Sequence, residues 1–241
     1  MSELERIYNY EYPYKEASEL PKKASVSALY PAYLDPDEEV IDLAAEAEPV
    51  PLILPDYTEK EAERTAAAAG TSTHLFMQFC DFDNAEKDAV KEAERLVSLG
   101  FIRETDKELI SYGEVSEFFK SPLYKRMRAA KESGRLFCRE YRFNIELDAA
   151  DFTEDEQRKK ALLNETLLVQ GVIDCFFEEE DGKITVVDYK TDRVSYNAVD
   201  EFRERHRRQL GYYKTATERI TLKTVGKCEL YSFCLGRSVI L

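Results

Sequence analysis

Two strand-forming runs joined by a glycine turn set the register of a central β-hairpin, and with it the face onto which the acidic side chains project. Val172-Ile173-Asp174-Cys175-Phe176-Phe177 and Ile184-Thr185-Val186-Val187-Asp188-Tyr189 are rich in β-branched and aromatic residues, and Glu180-Asp181-Gly182 between them is a turn signal. A three-residue loop with Gly182 in the left-handed conformation is a common hairpin connection. It pairs Glu179 with Lys183 and, counting back, Asp174 with Asp188. Directly opposite residues share a face, and Lys190, two positions past Asp188, shares it as well. A two-residue loop would pair Asp174 with Tyr189 and divide the carboxylates between faces. A joint role for Asp174, Asp188 and Lys190 therefore requires an odd loop, and Gly182 permits one. Both aspartates follow apolar runs, where a strand is largely buried. Two acidic groups that can hold a divalent cation, with a lysine beside them, point to metal-dependent chemistry on a phosphodiester.

Composition limits the alternatives. The chain has 241 residues, 44% of them hydrophobic, which is ample for one large domain or two small ones. No apolar run approaches the ~20 residues that span a bilayer, and Met1 to Tyr8 holds no apolar signal-peptide core. A cytoplasmic protein with no membrane partner is expected. The five cysteines, Cys80, Cys138, Cys175, Cys228 and Cys234, are scattered through apolar runs and read as reduced, buried thiols rather than a zinc or iron–sulfur site. The net charge of −14 argues against a free-standing nucleic-acid binder. Bound cations would invert the field locally, and Lys120 to Lys131 and Arg203 to Arg208 are positive stretches.

Seven of the eight prolines fall at or before Pro55. Residues 1–57 therefore read as an aromatic-rich arm, with a helix start at Ser25-Val26-Ser27, followed by a Pro-rich acidic connection. Residues 58–241 read as the working domain, with a helical part over 58–132 and a sheet core over 136–241. Thr58-Glu59-Lys60-Glu61 is a capping box opening a helix to about Cys80, with a weak point at Gly70. A second amphipathic helix is expected over 84–99, short helices over 105–132, a strand over Leu136 to Leu147 and a charged helix or insertion over 153–164. After the hairpin come a long helix, Ala198 to Ile220, and strands Lys227 to Leu235 and Arg237 to Leu241. Three strands, a helix and two strands give an α/β fold with a mixed sheet.

Further residues can join the hairpin. Gly70 and His74 are four apart and share a helix face; the glycine allows close approach and the imidazole offers a nitrogen ligand. Gln209 and Tyr213 are also four apart, on the helix that follows the Asp-x-Lys strand, and this face can lie across the hairpin. His206, Arg207 and Arg208 read as solvated or phosphate-contacting. No Gly-x-x-x-x-Gly-Lys-Ser/Thr loop occurs, so ATP hydrolysis is not encoded here.

The set Gly-Thr-x-x-His, Gln-Gly-x-Ile-Asp, Asp-Tyr-Lys-Thr and Gln-x-x-x-Tyr, in that order, resembles the RecB-like branch of the PD-(D/E)XK nucleases, above all the C-terminal nuclease domains of AddA-type proteins in AddAB helicase–nucleases. The likeness covers nearly the whole chain, from Ser25-Val26-Ser27 to Leu230-Tyr231-Ser232-Phe233-Cys234-Leu235-Gly236. It implies a restriction-endonuclease-like fold, a central mixed sheet flanked by helices with a helical and extended N-terminal region. It also implies His74, Asp174, Asp188 and the carbonyl of Tyr189 as ligands of Mg²⁺, with Mn²⁺ as a substitute. Lys190 would orient or activate the attacking water, and Gln209 and Tyr213 would support the site and the DNA strand. Glu140, in Arg139-Glu140-Tyr141-Arg142-Phe143, occupies the place of a glutamate common in the family, where a structural role stays open. The implied partners are a single-stranded DNA end, the helicase portion of an AddA-type protein, and its AddB-type partner. The cysteine pattern of the iron–sulfur cluster in AddB-type nucleases is lacking. Two alternatives stay open: a non-catalytic DNA-binding or docking module of the same fold, and a stand-alone RecB-like exonuclease.

Overall fold

The computed structural model describes residues 23–26, 61–153 and 155–241. The capping box at Thr58 and the acidic connection lie outside them. The elements in chain order are strand β1 (Lys23–Ser25), helices α1 (Glu61–Phe79), α2 (Phe82–Lys87), α3 (Ala89–Ser98), α4 (Glu104–Leu109), α5 (Tyr112–Lys120) and α6 (Pro122–Glu132), strand β2 (Phe137–Asp148), helix α7 (Glu156–Ala161), strands β3 (Thr166–Glu178) and β4 (Ile184–Lys190), helix α8 (Val199–Thr221), and strands β5 (Val225–Ser232) and β6 (Arg237–Ile240).

The expected mixed α/β sheet is present, with three differences. Lys23–Ser25 is a strand, parallel to Leu168–Gln170 of β3, and helical geometry begins at Val26 rather than Ser25. The helix expected over 84–99 is two helices. Asp88 sits between them in extended geometry, and its carboxylate accepts from Lys91 N at 3.1 Å, so the residue that ends α2 is the N-cap of α3. β3 is also longer than the hairpin pattern implied, because all of Thr166 to Phe177 pairs with β2 or lies within that ladder.

β3 organises the six strands. One edge carries β2, antiparallel from Phe137↔Phe177 to Asp148↔Thr166. The other edge is shared: β1 takes residues 168–170 and β4 takes residues 175–178. Residues 171–174 lie between those two partners, where the edge forks. β5 then pairs parallel to β4, and β6 pairs antiparallel to β5. The helical module α2–α6 packs through Phe118, Tyr124 and Met127 on the sheet face that holds Val187, Tyr189 and Tyr231; α8 packs through Phe202, Leu210 and Ala216 on the face that holds Val186 and Leu230.

Three contacts position the parts. Arg139 on β2 donates to the carbonyls of Met77 (3.1 Å) and Cys80 (2.9 Å) and lies 4.3 Å over the Phe82 ring. α1 has no basic residue in its last turn, so a guanidinium from another element satisfies its terminal carbonyls. Arg126 on α6 reaches Glu179 of the hairpin end at 2.6 Å and Glu229 of β5 at 2.6 Å. At the fork, a Cβ on Gly171 would meet Phe143 Cζ at 2.6 Å and Val26 Cγ2 at 3.2 Å. The missing side chain is what lets the Phe143 ring cross β3 and meet Tyr213 of α8 edge-on, with centroids 5.9 Å apart.

Gly171→Ala should therefore overpack this crossing by ~1–3 kcal/mol, lowering Tm by roughly 3–10 °C for a domain of this size. Adding Phe143→Leu removes the clashing ring atoms, so the double variant should melt above the sum of the two single losses. Thermal melts of the four proteins measure this.

Candidate active site

Every residue of β4 is buried, Asp188 (2% exposed) and Lys190 (3%) included. The turn before it is the odd loop: Gly182 has φ +79°, Gly182 N donates to Glu179 O at 3.1 Å, and Glu179 N donates to Lys183 O at 2.8 Å. The ladder then runs Glu178↔Ile184 to Cys175↔Val187. One step further in the same register sets Asp174 opposite Asp188, and there the ladder stops. The Asp174 Oδ2 instead accepts from Tyr189 N at 2.7 Å, so a carboxylate takes the backbone donor where the strands part. Asp174, Asp188 and Lys190 thus lie on one face of the hairpin, and Lys190 Nζ is 3.4 Å from Asp188 Oδ2. Asp174 Oδ2 also lies 3.8 Å from His74 Nδ1.

α1 delivers His74 because it crosses the chain as it leaves β4. A Cβ on Gly70 would stand 2.8 Å from Thr191 Oγ1, so only glycine lets the helix come this close. The approach allowed by Gly70 is thus to the residue after Lys190, and His74 follows one turn later on the same helix face. From the sheet face, α8 brings Gln209 and Tyr213, and Gln209 Nε2 donates to the Tyr213 hydroxyl at 3.0 Å. Burial pushes the Tyr213 phenol well above its usual pKa of 10, and the charges of Asp188 and Asp174 push the same way. The phenol therefore stays protonated and keeps a proton to donate.

Glu140 belongs to this group and was only half visible from the sequence. It faces Asp174 where the β2–β3 ladder skips a pair, between Arg139↔Cys175 and Tyr141↔Ile173. Its φ of +51° is the left-handed region, uncommon for a residue other than glycine, asparagine or aspartate. Burial, and then the charge of Asp174, push its carboxyl from 4.5 up to about 8. Arg-Glu-Tyr-Arg reads as plain strand, so the dihedral had no local signal. His206 is a correction. It is 2% exposed, with Nε2 3.6 Å from Asp192 Oδ2, because the turn after Lys190 folds back beneath α8. Arg207 is exposed and paired with Glu204 at 2.8 Å. The thiols divide too: Cys80, Cys175 and Cys228 are buried as expected, but Cys138 is half-buried and Cys234 exposed.

Among the described residues, no group of three or more His, Cys, Asp or Glu side chains is gathered tightly enough to hold a metal ion. The donor chemistry fits one all the same. Asp174 and Asp188 are hard oxygen donors set side by side, and a third carboxyl, Glu140, resists ionisation through its burial first and the charge of Asp174 second. Such crowding of acids is relieved by a cation.

A mixed sheet forked at one acidic residue, with Asp-x-Lys on the neighbouring strand and two helices closing over them, is the arrangement of a nuclease family. The profile of the PD-(D/E)XK nuclease superfamily matches residues 52–236, and the chain belongs to that superfamily. Its similarity extends to the A-type subunits of ATP-dependent helicase/nucleases. The one from Acetivibrio thermocellus is 36% identical over 98% of this chain, that from Thermoanaerobacter sp. (strain X514) 36% over 97%, and that from Clostridium botulinum (strain Okra) 35% over 98%. The chain spans about 18% of the length of these curated relatives. Among the described residues no helix is long and apolar enough to cross a membrane.

The raised pKa of Glu140 gives a pH test with a definite sign. A carboxyl whose pKa rises on folding costs nothing below its unfolded value near 4.5. It destabilises progressively as pH climbs, up to about 8. With chelator present, Glu140→Gln removes that cost while leaving the backbone strain in place. The variant should gain on wild type between pH 5 and pH 8 by on the order of 2 kcal/mol, roughly 5 °C in Tm. A pH series of melts reads the difference, and a constant gap between the two proteins would remove Glu140 from the acidic group.

Proposed function

We propose that this chain is the nuclease domain of a helicase–nuclease, hydrolysing phosphodiester bonds of single-stranded DNA as an Mg²⁺-dependent exonuclease with Mn²⁺ as a substitute. The observation that carries the reading is the convergence of Asp174, Asp188 and Lys190 on one buried face at the fork of β3, with His74 entering from α1 and Gln209 and Tyr213 from α8. In the whole protein, a helicase portion would feed the strand, an AddB-type protein would be the partner, and repair or recombination of double-strand breaks in the cytoplasm would be the setting. The relatives' name, which joins an ATP-dependent helicase to a nuclease, supports that part of the proposal.

Asp174, Asp188, the Tyr189 carbonyl and His74 would hold the cation. When bound, it polarises the scissile phosphate and makes bound water more acidic. Lys190, held 3.4 Å from Asp188, is aimed to stabilise charge developing on the phosphate oxygens. Tyr213 accepts from Gln209, which keeps that face of α8 oriented, and its protonated hydroxyl would be the donor offered to the DNA strand. Glu140 is poised to hold or release a proton near pH 8, raised there by its burial and then by the charge of Asp174. The near-complete burial of Asp188 and Lys190 excludes bulk water, so each charge acts at low dielectric.

The test is to incubate the chain with end-labelled linear and with circular single-stranded DNA, in Mg²⁺, in Mn²⁺ and in chelator. Cleavage of linear DNA alone, and only with metal, is expected; cleavage of circles would replace exonuclease by endonuclease. Asp188→Ala and Lys190→Ala should each lower the rate by about 10²–10³-fold while circular dichroism shows an intact fold. Wild-type rates in Asp188→Ala would remove it from the site.

Metal binding has its own readout. At a hundredfold excess over Kd, an ion that binds only the folded state stabilises it by roughly 2.7 kcal/mol, on the order of 5 °C in Tm. Asp174→Asn should raise the metal-free Tm and blunt the response to Mg²⁺, because it removes both a like charge and a ligand. Equal responses in the two proteins would locate the ion elsewhere.

A further inference from the structure

Just past Lys190 the chain presents an aromatic ring that the chemistry above does not use. Tyr196 is 71% exposed, the most exposed aromatic side chain among the described residues. The guanidinium of Arg237 lies over its ring, 5.3 Å from the centroid. Both partners are anchored. Tyr196 opens a 3₁₀ turn, Tyr196–Ala198, closed by Ala198 N to Ser195 O at 3.0 Å, which leads straight into α8. Arg237 opens β6 opposite Ser232 of β5, and Ser232 pairs with Lys190 of β4. Lys190, Ser232 and Arg237 are therefore abreast on three adjacent strands and share a face. At the usual strand spacing Arg237 is about 10 Å from Lys190 across the sheet. The β5–β6 turn is closed by Gly236 N to Phe233 O at 3.1 Å, and Phe233 N donates to Lys190 O at 2.9 Å, so this edge is braced against the end of β4.

An exposed aromatic ring backed by an arginine is the combination that stacks nucleobases without reading their identity. With one face of Tyr196 against Arg237, its other face and edges account for the exposure. We propose that Tyr196, backed by Arg237, is a stacking platform for a nucleobase flanking the scissile phosphate, which holds single-stranded DNA at this end of the sheet. The proposal rests on the reading of the site as one that receives single-stranded DNA. It also accounts for how a chain of net charge −14 holds a polyanion, since stacking needs no excess of positive charge.

The test is fluorescence anisotropy in chelator, where no cleavage occurs, with the full chain and two labelled probes of equal length and charge. One is an oligothymidylate, the other an abasic backbone. Wild type should bind the oligothymidylate about tenfold more tightly than the abasic probe. Tyr196→Ala should lose about that factor on the oligothymidylate and nothing on the abasic probe, and Tyr196→Phe should keep wild-type affinity for both. Tyr196 is exposed, so both variants should melt as wild type does. Unchanged oligothymidylate binding by Tyr196→Ala, or an equal loss on both probes, overturns the platform and leaves the nuclease reading standing. A wild type that binds neither probe overturns the single-stranded reading itself, and the platform with it.

Discussion

A carboxylate and an ammonium two residues apart on a strand with no exposed position are the constraint around which the rest is arranged. Taking either charge out of water costs several kcal/mol, which its partner repays only in good geometry. Lys190 at 3.4 Å from Asp188 supplies part of that return. The strand cannot tolerate a shift in register, because one step would trade these two groups for Val187 and Tyr189 and put charge into the aromatic side of the core. The turn at Gly182 and the Arg126 fork to Glu179 and Glu229 hold the far end of β4 and thereby keep the register that the charged end requires.

The charged end is closed by elements that come from far along the chain, and each is tied by an identifiable contact. α1 is drawn onto Thr191 by the absence of a side chain at Gly70, and its C-terminus is held by Arg139. Arg139 is next to Glu140, whose left-handed backbone breaks the β2–β3 ladder opposite Asp174. The residue that orients the His74 helix and the residue that crowds Asp174 are thus adjacent on one strand. A change at either is expected to reach the other through the backbone they share. On the sheet face, Gly171 makes room for Phe143, and Phe143 sets the Tyr213 ring. The glycines of Gly-Thr-x-x-His and Gln-Gly-x-Ile-Asp do the same job: each lacks a Cβ so that a neighbouring element can pack close, Thr191 against the His74 helix and Phe143 across β3 toward Tyr213.

What could be read from the sequence was what is local. The turn residue Gly182 and period-two alternation were enough to align Asp174, Asp188 and Lys190, and helical spacing was enough to pair Gln209 with Tyr213 and Gly70 with His74. What could not be read depends on partners distant in sequence. Lys23–Ser25 is a strand only because β3 offers it an edge, and three residues carry no period of their own. Asp88 divides a helix whose apolar pattern runs on through it. His206 sits among arginines, and only the fold-back of Asp192 beneath α8 shows it to be buried. The left-handed Glu140 accompanies the one pair its ladder skips, opposite Asp174, and nothing in Arg-Glu-Tyr-Arg calls for it.

The arginine-rich stretch on α8 shows why bulk charge is a poor guide to how this nuclease meets a polyanion. Arg203, Arg205 and Arg207 are each within ion-pair distance of a carboxylate three or four residues earlier, Asp200, Glu201 and Glu204. The helix is therefore nearly neutral along this surface, in keeping with a net charge of −14 for the chain. Such exposed pairs are worth only ~0–1 kcal/mol, so a phosphate could replace a carboxylate at little cost, and at little gain. Long-range attraction cannot then concentrate DNA on the domain. Under the proposed reading, engagement would come from short-range terms: an ion between Asp174 and Asp188, a base against Tyr196, and a strand delivered by a helicase portion. On that reading the base contact at Tyr196 would favour a single strand over duplex, because the bases of a duplex are already stacked on one another and offer no free face to the ring.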